Sequence, residues 1–491
     1  MKKVFPLLLM LCFASAEVFS EVTLDRVFSS CMVLQQQKPV VFFGTASPGE
    51  DVTVEFAEKK ITAKAGNDGV WRTVFPAMPA DLTARTVTVS GGGKKIVLKD
   101  VLVGEVWFCS GQSNMALFIG RKYVRGRSVF NCEEEVKNAD HPCLRYAYQR
   151  YAASGKACPA RYMWSSRWLV CKPDRAFFFS AAAYFFGREL QRELKIPVGL
   201  IVAAAGASRI QAWIPDDCLD GLGPESKALR KFKAAGAEIP EATPPQKLPP
   251  GSLFNGMAAA WTKLPVRGVV WYQGESNHGE KRYGALLERL ITSWRGKWND
   301  PEMPFLLVQL AGFDRAHAAD WDKLDPNTDN GWALIREFQR SMLKLPHVGL
   351  ATAVDIGECD NIHPGNKLDV GLRLALEAKR MVYGRKIVSR GPLFKAVSPE
   401  GNRIRVSFDN AEGLRTADGK SPRAFAVAGA DGRFFRADAV IDGDTVVLSA
   451  PQVASPLRVR YAYAGFRGDL NLRNAAGLPA YPFDSAFGGV R

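Results

Sequence analysis

A serine at the end of an apolar run is the first residue in this chain with the setting of a nucleophile. The segment VLVGEVWFCSGQSNM (101–115) is apolar up to Cys109 and then changes to small and polar residues around Ser113. A junction between a strand and a helix leaves backbone N–H groups beside the serine hydroxyl, and such groups can bind an oxyanion. The same pattern also fits an ordinary glycine-containing loop that carries a serine. The segment alone therefore leaves both interpretations open.

A nucleophilic serine requires a general base and a carboxylate that orients the base. Asp360 and His363 have a D-x-x-H spacing that brings a carboxylate and an imidazole into one turn. Asp314 and His317 have the same spacing and also follow a predicted strand, so spacing does not separate the two pairs. We favour His363, because Pro364-Gly365 and a long amphipathic segment follow it and predict a helix start that would fix its position.

These residues lie in a segment where apolar strands alternate with amphipathic helices. Strands that are apolar throughout and separated by helices indicate an α/β fold with a parallel sheet covered on both faces. In such sheets the ligand site lies beyond the carboxyl ends of the strands, where the candidate residues fall. The predicted strands are 102–109, 198–204, 268–272, 305–310 and 348–354, and the predicted helices are 175–193, 283–298, 332–345 and 367–382.

The pattern on either side of this segment predicts further domains. Residues 22–100 and 391–491 have short β-rich runs and frequent turn signals, which predict β-sandwich-like regions flanking a central domain at 101–390. The segment 118–172 is too long for an ordinary connection between a strand and a helix, so we interpret it as an insertion. Residues 1–16 contain two lysines, a short apolar run and Ala-Ser-Ala. They predict a signal peptide and an exported protein, periplasmic or extracellular.

Composition limits the partners that we expect. The 491 residues have a formal net charge of +15, but lysine and arginine are scattered along the chain, which argues against nucleic acid. The N-terminal apolar run is shorter than the roughly 20 residues of a spanning helix, so no stable membrane insertion is expected. Eight of the nine cysteines follow the predicted signal peptide, an even number that permits disulfides in an exported protein. No cysteine spacing resembles a metal site, and the oligomeric state is not predicted.

Four segments carry a family resemblance, and they are GEVWFCSGQSNM (104–115), GLIVAAAGASRIQAW (199–213), GVVWYQGESN (268–277) and DNIHPGNK (360–367). In this order and with β-rich flanks, they resemble the sialate O-acetylesterases of the SGNH hydrolase superfamily. The resemblance extends from about residue 22 to the C-terminus. It implies a three-layer α/β/α central domain and a serine esterase that removes O-acetyl groups from sialic acids on glycans.

The resemblance also implies catalytic roles. Ser113 would be the nucleophile, His363 the general base and Asp360 the acid that orients it. The backbone N–H groups of Ser113 and Gly206 would bind the oxyanion. This chemistry requires neither a metal nor an organic cofactor.

A side-chain amide would complete the oxyanion hole in this resemblance. The position at which the superfamily usually has asparagine is Ser276 in this chain. Gln273 or Asn277 must then supply the amide, and Gln273 is our first choice because it lies nearer the end of the strand.

Four residues near the strand ends are predicted substrate contacts, namely Gln112, Arg209, Glu275 and Arg336. Either arginine could pair with the carboxylate of sialic acid in a bidentate manner, although a structural ion pair is an equal alternative for each. Two other functions fit the same sequence. An acetyl xylan esterase would use the same triad on a neutral polysaccharide, and a non-catalytic carbohydrate-binding protein would use the β-rich regions alone.

Overall fold

The computed structural model describes residues 21–120, 128–156, 167–328 and 330–489. The predicted signal peptide and part of the predicted insertion lie outside these residues. The described chain is a mixed α/β protein with a central, mainly parallel sheet and additional β-rich regions. This result confirms the α/β class that the alternation of strands and helices predicts.

The described chain divides into two compact units. The first comprises the residues up to Asp25 together with Val41–Phe75 and Thr86–Leu98. Its alternating strands point apolar side chains inwards, and the rings of Phe42, Phe56 and Phe75 pack edge to face at its centre. The N-terminal strands of the chain are β1 (Val33–Gln35), β2 (Val40–Thr45), β3 (Asp51–Phe56), β4 (Lys59–Lys64), β5 (Val70–Phe75) and β6 (Asp81–Gly91).

The second unit comprises Arg26–Val40, Pro76–Arg85 and the chain from Lys99 onwards, and it contains the central sheet. The sheet strands are β7 (Lys94–Gly111), β8 (His141–Tyr148), β9 (Trp168–Cys171), β10 (Val198–Ala204), β11 (Gly268–Tyr272), β12 (Phe305–Gln309) and β13 (Val348–Thr352). Their order is β13-β12-β11-β7-β10-β8-β9. Only the β8–β9 pair along this path is antiparallel. The five predicted strands are therefore confirmed as neighbours in one sheet.

The register of the central sheet aligns the C-terminal ends of strands β7, β10 and β11. Gly111 at the end of β7 is paired with Ala204 of β10 and with Tyr272 of β11. The residues that follow these strands therefore emerge at the same edge of the sheet. This is the position at which ligand sites of parallel sheets form.

Within the second unit, helix α4 packs against α8, and α6 packs against α7. The helices are α1 (Ser113–Ala116), α2 (Cys132–Lys137), α3 (Pro173–Ala176), α4 (Ala181–Leu194), α5 (Pro224–Ala234), α6 (Tyr283–Lys297), α7 (Gly331–Ser341) and α8 (Lys367–Met381). The predicted helix at 175–193 is interrupted, because the Ser180 hydroxyl accepts a hydrogen bond from the Ala183 N–H and caps α4. Gly371 of α8 faces Phe185 of α4 so closely that a Cβ there would collide with it.

The C-terminal region is all β. Its strands are β14 (Leu393–Glu400), β15 (Arg403–Asp409), β16 (Arg415–Thr416), β17 (Phe425–Ala428), β18 (Phe434–Arg436), β19 (Asp438–Asp442), β20 (Thr445–Ser449), β21 (Arg458–Tyr461), β22 (Leu472–Arg473) and β23 (Phe483–Asp484). Two antiparallel sheets, β14-β15-β20-β19 and β18-β17-β21-β23, contribute to one apolar core. The rings of Phe394 and Phe483 stack across it at 4.3 Å.

Three further findings concern the described residues only. Their cysteines are free thiols, so the permitted disulfides do not form among Cys31, Cys109, Cys132, Cys143, Cys171, Cys218 and Cys359, and Cys158 lies outside the described ranges. No group of three potential metal ligands occurs among them. None of their helices combines the length and the apolar character needed to cross a bilayer.

Candidate active site

Ser113 begins helix α1 directly beyond strand β7 and is partly buried. Gly111 makes this turn possible, because its φ is +141° and a Cβ at this position would collide with the Tyr272 carbonyl oxygen. Glycine adopts such a conformation at little cost, whereas other residues do not. As the first helical residue, Ser113 has a backbone N–H without an acceptor within the helix. The serine hydroxyl and a donor group thus lie together at the edge of the sheet.

Gly206 lies beside Ser113, as the level ends of β7 and β10 require. A Cβ added to Gly206 would lie 3.7 Å from the Ser113 Cβ. Ala207 continues the turn with a φ of +57°. The structure therefore brings together the serine and the glycine that the sequence selects for the oxyanion.

Asn114 connects the nucleophile turn to the turn that carries His363. Its side-chain Nδ2 donates to Glu275 Oε1 at 2.6 Å and to the Ile362 carbonyl oxygen at 3.0 Å. Ile362 precedes His363 directly. The three loops that follow β7, β11 and β13 therefore meet at one amide group.

The turn that contains Asp360 and His363 is held from within. Glu358 accepts a hydrogen bond from the Gly365 N–H at 2.7 Å and another from Asn361 Nδ2 at 2.9 Å. The Asn361 side-chain oxygen accepts from the His363 N–H at 3.1 Å. Asp360 lies in the same turn and is exposed, while His363 is partly buried. The turn leads directly into α8, as the Pro-Gly pattern predicts.

The alternative pair, Asp314 and His317, also forms in the structure. His317 Nδ1 lies 2.9 Å from Asp314 Oδ1, and the His317 side chain is 44% exposed. The Asp314 N–H donates to the Cys359 carbonyl oxygen at 2.9 Å, so this loop lies next to the His363 turn. The described contacts tie the nucleophile turn to Ile362 and not to His317.

A cavity of about 580 Å³ opens beside these loops. Arg209 and Arg315 both line it, as do Ile362 and Trp332. The Arg209 side chain is exposed and makes no hydrogen bond or ion pair with the residues that the structure describes. Of the four predicted substrate contacts, Arg209 thus has the setting of a ligand-binding group.

Gln112 and Glu275 are both largely buried. Gln112 is 2% exposed; its oxygen accepts from the Gly274 and Ser276 N–H groups, and its amide donates to the Ser276 hydroxyl. Glu275 is 4% exposed, and its Oε2 is buried. The Gln112 side chain thus binds the loop that follows β11. Glu275 Oε1 accepts from Asn114, Glu275 Oε2 has no hydrogen-bond partner among the described residues, and Glu275 lines the cavity.

Arg336 is also a structural residue. Its side chain is 1% exposed, and it donates to the carbonyl oxygens of Leu310, Ala311, Ala464 and Gly465. Burial lowers the pKa of its guanidinium to about 9. The predicted pairing of Arg336 with a substrate carboxylate would compete with these four hydrogen bonds to backbone carbonyls.

The two candidate oxyanion amides belong to a buried network. Gln273 Nε2 donates to the Ser208 carbonyl oxygen at 3.2 Å and to Asn277 Oδ1 at 2.8 Å, which uses both of its protons. Gln273 Oε1 accepts from the Tyr283 hydroxyl at 2.9 Å. In this geometry the Gln273 amide is hydrogen-bonded within the protein, and its predicted role towards the oxyanion stays a prediction. Asn277 is 2% exposed, and its amide donates to Gln211.

Sequence reasoning did not find the residues beneath the site. Lys367 is fully buried, and burial lowers the pKa of its ammonium group to about 7. Burial raises the pKa of the Glu275 carboxyl to about 7 as well, and each charge favours the other. Asn114 and Lys367 belong to the quoted motifs, but no spacing rule reveals that their side chains turn inwards.

Comparisons with known proteins agree with the order of the motifs. The family model described as carbohydrate esterase, sialic acid-specific acetylesterase matches residues 103–379, which is more than half of the chain. Sialate O-acetylesterase of Homo sapiens is 30% identical over 399 residues, covering 74% of this chain and 71% of the human protein. The enzyme of Mus musculus is 27% identical over 446 residues and covers 79% of each chain.

A solved structure matches nearly the whole chain. The crystal structure of a carbohydrate acetylesterase from Xanthomonas citri has a TM-score of 0.82 and 33% sequence identity to this protein. The match covers 94% of this chain and 99% of that one. The chain therefore belongs to the carbohydrate esterases of the sialic acid-specific acetylesterase family.

Proposed function

We propose that this esterase removes O-acetyl groups from sialic acids on glycans, with Ser113, His363 and Asp360 as its catalytic triad. The observation that carries the proposal is the bridge from Asn114, next to Ser113, to the carbonyl oxygen of Ile362, next to His363. This contact joins two of the family motifs at the carboxyl edge of the sheet. Membership of the esterase family supplies the class of reaction.

In the proposed mechanism, Ser113 Oγ attacks the carbonyl carbon of the acetyl ester while His363 accepts the hydroxyl proton. The resulting oxyanion is bound by the N–H groups of Ser113 and Gly206. As the intermediate collapses, the ester C–O bond breaks, and His363 returns the proton to the departing sugar oxygen. Water then attacks the carbonyl carbon of the acetyl-serine while His363 accepts a proton from the water. The bond to Ser113 Oγ breaks, His363 returns the proton to this oxygen, and acetate is released. Asp360 orients the imidazole and stabilises its charge.

Two backbone donors suffice for the oxyanion hole in this proposal. Gln273 and Asn277 then act indirectly, because their hydrogen bonds to Ser208 and to the Ile210 N–H hold the loop that follows Gly206. Each backbone donor stabilises charge that develops only in the transition state, where such a donor is worth about a hundredfold in rate.

We assign the reaction to an SGNH-type three-layer domain at 101–390, with β-sandwich-like regions at 22–100 and 391–491. The parallel order of the central strands and the two helix pairs support this assignment. We also propose that residues 1–16 direct export to the periplasm or the extracellular space, where acetylated glycans are the accessible substrates.

Arg209 is the proposed anchor for the carboxylate of sialic acid. It lines the cavity beside the nucleophile turn and has an exposed guanidinium. A guanidinium binds a carboxylate through two parallel hydrogen bonds, which fixes orientation as well as position. A carboxylate held there would orient the rest of the sugar relative to Ser113.

One observation favours a second candidate, an esterase for a neutral polysaccharide such as acetylated xylan. The relative from Xanthomonas citri is named only as a carbohydrate acetylesterase, and it matches 94% of this chain. The same triad would serve this substrate, but Arg209 would then lack a carboxylate partner.

The test is acetate release from O-acetylated sialic acid and from acetylated xylan, by the wild-type protein and by the Ser113→Ala variant. We expect release from the sialic acid, loss of at least about a thousandfold in the variant, and an unchanged circular dichroism spectrum. Release from xylan alone would favour the second candidate. Full activity of the Ser113→Ala variant would contradict the triad, and labelling of Ser113 by an organophosphate would exclude a purely carbohydrate-binding role.

A further inference from the structure

Glu275 lies beneath the proposed triad, and the mechanism above does not use it. We propose that Glu275 is a positioning residue that holds the nucleophile turn and the His363 turn in register through Asn114. The inference rests on the proposed function, because it assigns a purpose to the geometry of Ser113 and His363. Glu275 is 4% exposed and is one of the residues that line the cavity.

The first argument is the geometry of the Asn114 amide. Its nitrogen donates to two acceptors, Glu275 Oε1 at 2.6 Å and the Ile362 carbonyl oxygen at 3.0 Å. Reversing the amide would oppose its oxygen to both acceptors. The carboxylate therefore fixes which way Asn114 points, and through it the distance between the residues that neighbour Ser113 and His363.

The second argument is a matching contact on the other side of His363. Lys367 Nζ donates to the carbonyl oxygen of Pro364, and the ammonium group is attracted electrostatically to Glu275. The carbonyl groups of Ile362 and Pro364 flank His363 directly. Two hydrogen bonds, one from Asn114 and one from Lys367, thus hold the backbone on either side of the proposed base.

The third argument is the free-energy cost of burying these polar side chains. Glu275 is 4% exposed, Asn114 is 1% exposed and Lys367 is fully buried. Burial of a carboxyl and an ammonium group is seldom more stable than burial of apolar groups of similar size, so their presence is weak evidence for stability alone. Burial and then the Glu275 charge raise the pKa of the Tyr272 and Tyr283 hydroxyls. The Lys367 ammonium favours the charged form of Glu275, and Glu358 also favours the charged form of Lys367.

The test compares Glu275→Leu, which removes the acceptor, with Glu275→Gln, whose amide oxygen keeps one. The substrate is 4-nitrophenyl acetate, so that the identity of the sugar does not matter. We expect Glu275→Leu and Asn114→Ala each to lower kcat by about tenfold or more with KM changed by less than about twofold, because small misplacements of catalytic groups are expensive. Glu275→Gln should recover most of kcat with a pH profile of wild-type shape, which a proton-transfer role would not allow.

A double variant shows whether the two residues act through one bridge. Glu275→Leu combined with Asn114→Ala should be no slower than the slower single variant, because either change already breaks the bridge. Effects that multiply would overturn the proposal, as would a kcat within about twofold of wild type in both single variants. If Glu275→Leu does not fold, Asn114→Ala and Glu275→Gln decide the question with the same expected values.

Glu337→Gln is the matched control for loss of a buried carboxylate. Glu337 is 1% exposed, burial raises the pKa of its carboxyl to about 7, and it pairs with Arg340 instead of the site. We expect this variant to melt at a lower temperature and to keep the wild-type kcat. The rate of Ser113 labelling by an organophosphate separates the two proposals. If the wild-type protein shows neither labelling nor hydrolysis, both the proposed function and the positioning role are refuted. If wild type and Glu275→Leu are labelled at equal rates, the positioning role alone is refuted.

Discussion

Substrate recognition at the scale of single residues depends on which cationic side chains are already engaged. Arg336 binds four carbonyl oxygens inside the protein, whereas the Arg209 side chain faces the cavity. Both arginines are equally plausible ligands for a carboxylate in the sequence. Only the folded structure shows that the Arg336 guanidinium is already hydrogen-bonded to loops of the protein.

Replacing Arg209 by Ala therefore tests the substrate class. We expect KM for O-acetylated sialic acid to rise by about tenfold or more, because a charge-assisted pair with the carboxylate is lost. Hydrolysis of 4-nitrophenyl acetate should be unchanged, since this ester has no carboxylate. Arg230→Ala, at an exposed position of α5, is the control and should leave both reactions unaffected. An unchanged KM in Arg209→Ala would show that the carboxylate is bound elsewhere.

At the scale of elements, the strand pattern predicts five of the seven strands along the path of the central sheet. The other two, β8 and β9, lie within residues 118–172, which the sequence predicts as an insertion. Apolar runs predicted the five central strands, and their level ends explain why residues far apart in sequence meet. The helix starting at Lys367 was also predicted, from the Pro-Gly sequence that follows His363. The boundary at 175 was wrong because the Ser180 cap is a local hydrogen bond that apolar periodicity does not reveal.

Side-chain direction was the part of the site that sequence could not supply. Gln273 lies one residue beyond β11, as predicted, but its amide turns towards Ser208 and Asn277. Which partner an amide selects depends on groups brought near only by folding. The proximity of Ser113 and Gly206 was easier to predict, because the aligned ends of β7 and β10 define it.

Arg336 provides a prediction at the scale of elements, since it joins α7 to the loop after β12 and to the loop at 464–465. Arg336→Met keeps much of the apolar stem but leaves buried carbonyl groups without donors. We expect a loss of about 3 kcal/mol in the free energy of unfolding, measured with denaturant. KM at a temperature where the variant is folded should change by less than about twofold. A large rise in KM with little loss of stability would restore Arg336 as a substrate contact.

At the scale of the whole molecule, the net charge of +15 acts on an anionic substrate before any contact forms. A positive protein attracts sialic acid over distances comparable with the Debye length, which is about 10 Å at 0.1 M salt. A neutral acetyl ester experiences no such attraction. The charge therefore distinguishes the two substrate classes through kinetics, independently of any single residue.

We expect kcat/KM for O-acetylated sialic acid to fall several-fold between about 0.02 M and about 0.5 M salt, because screening weakens both the long-range attraction and the Arg209 pair. The value for acetylated xylan should remain constant over the same range. The Arg209→Ala variant should keep part of the salt dependence, since the remaining charges still attract the substrate. A salt-independent kcat/KM for the sialic acid would show that the basic character of the protein serves another purpose. A fall that disappears completely in Arg209→Ala would assign the whole effect to that one side chain.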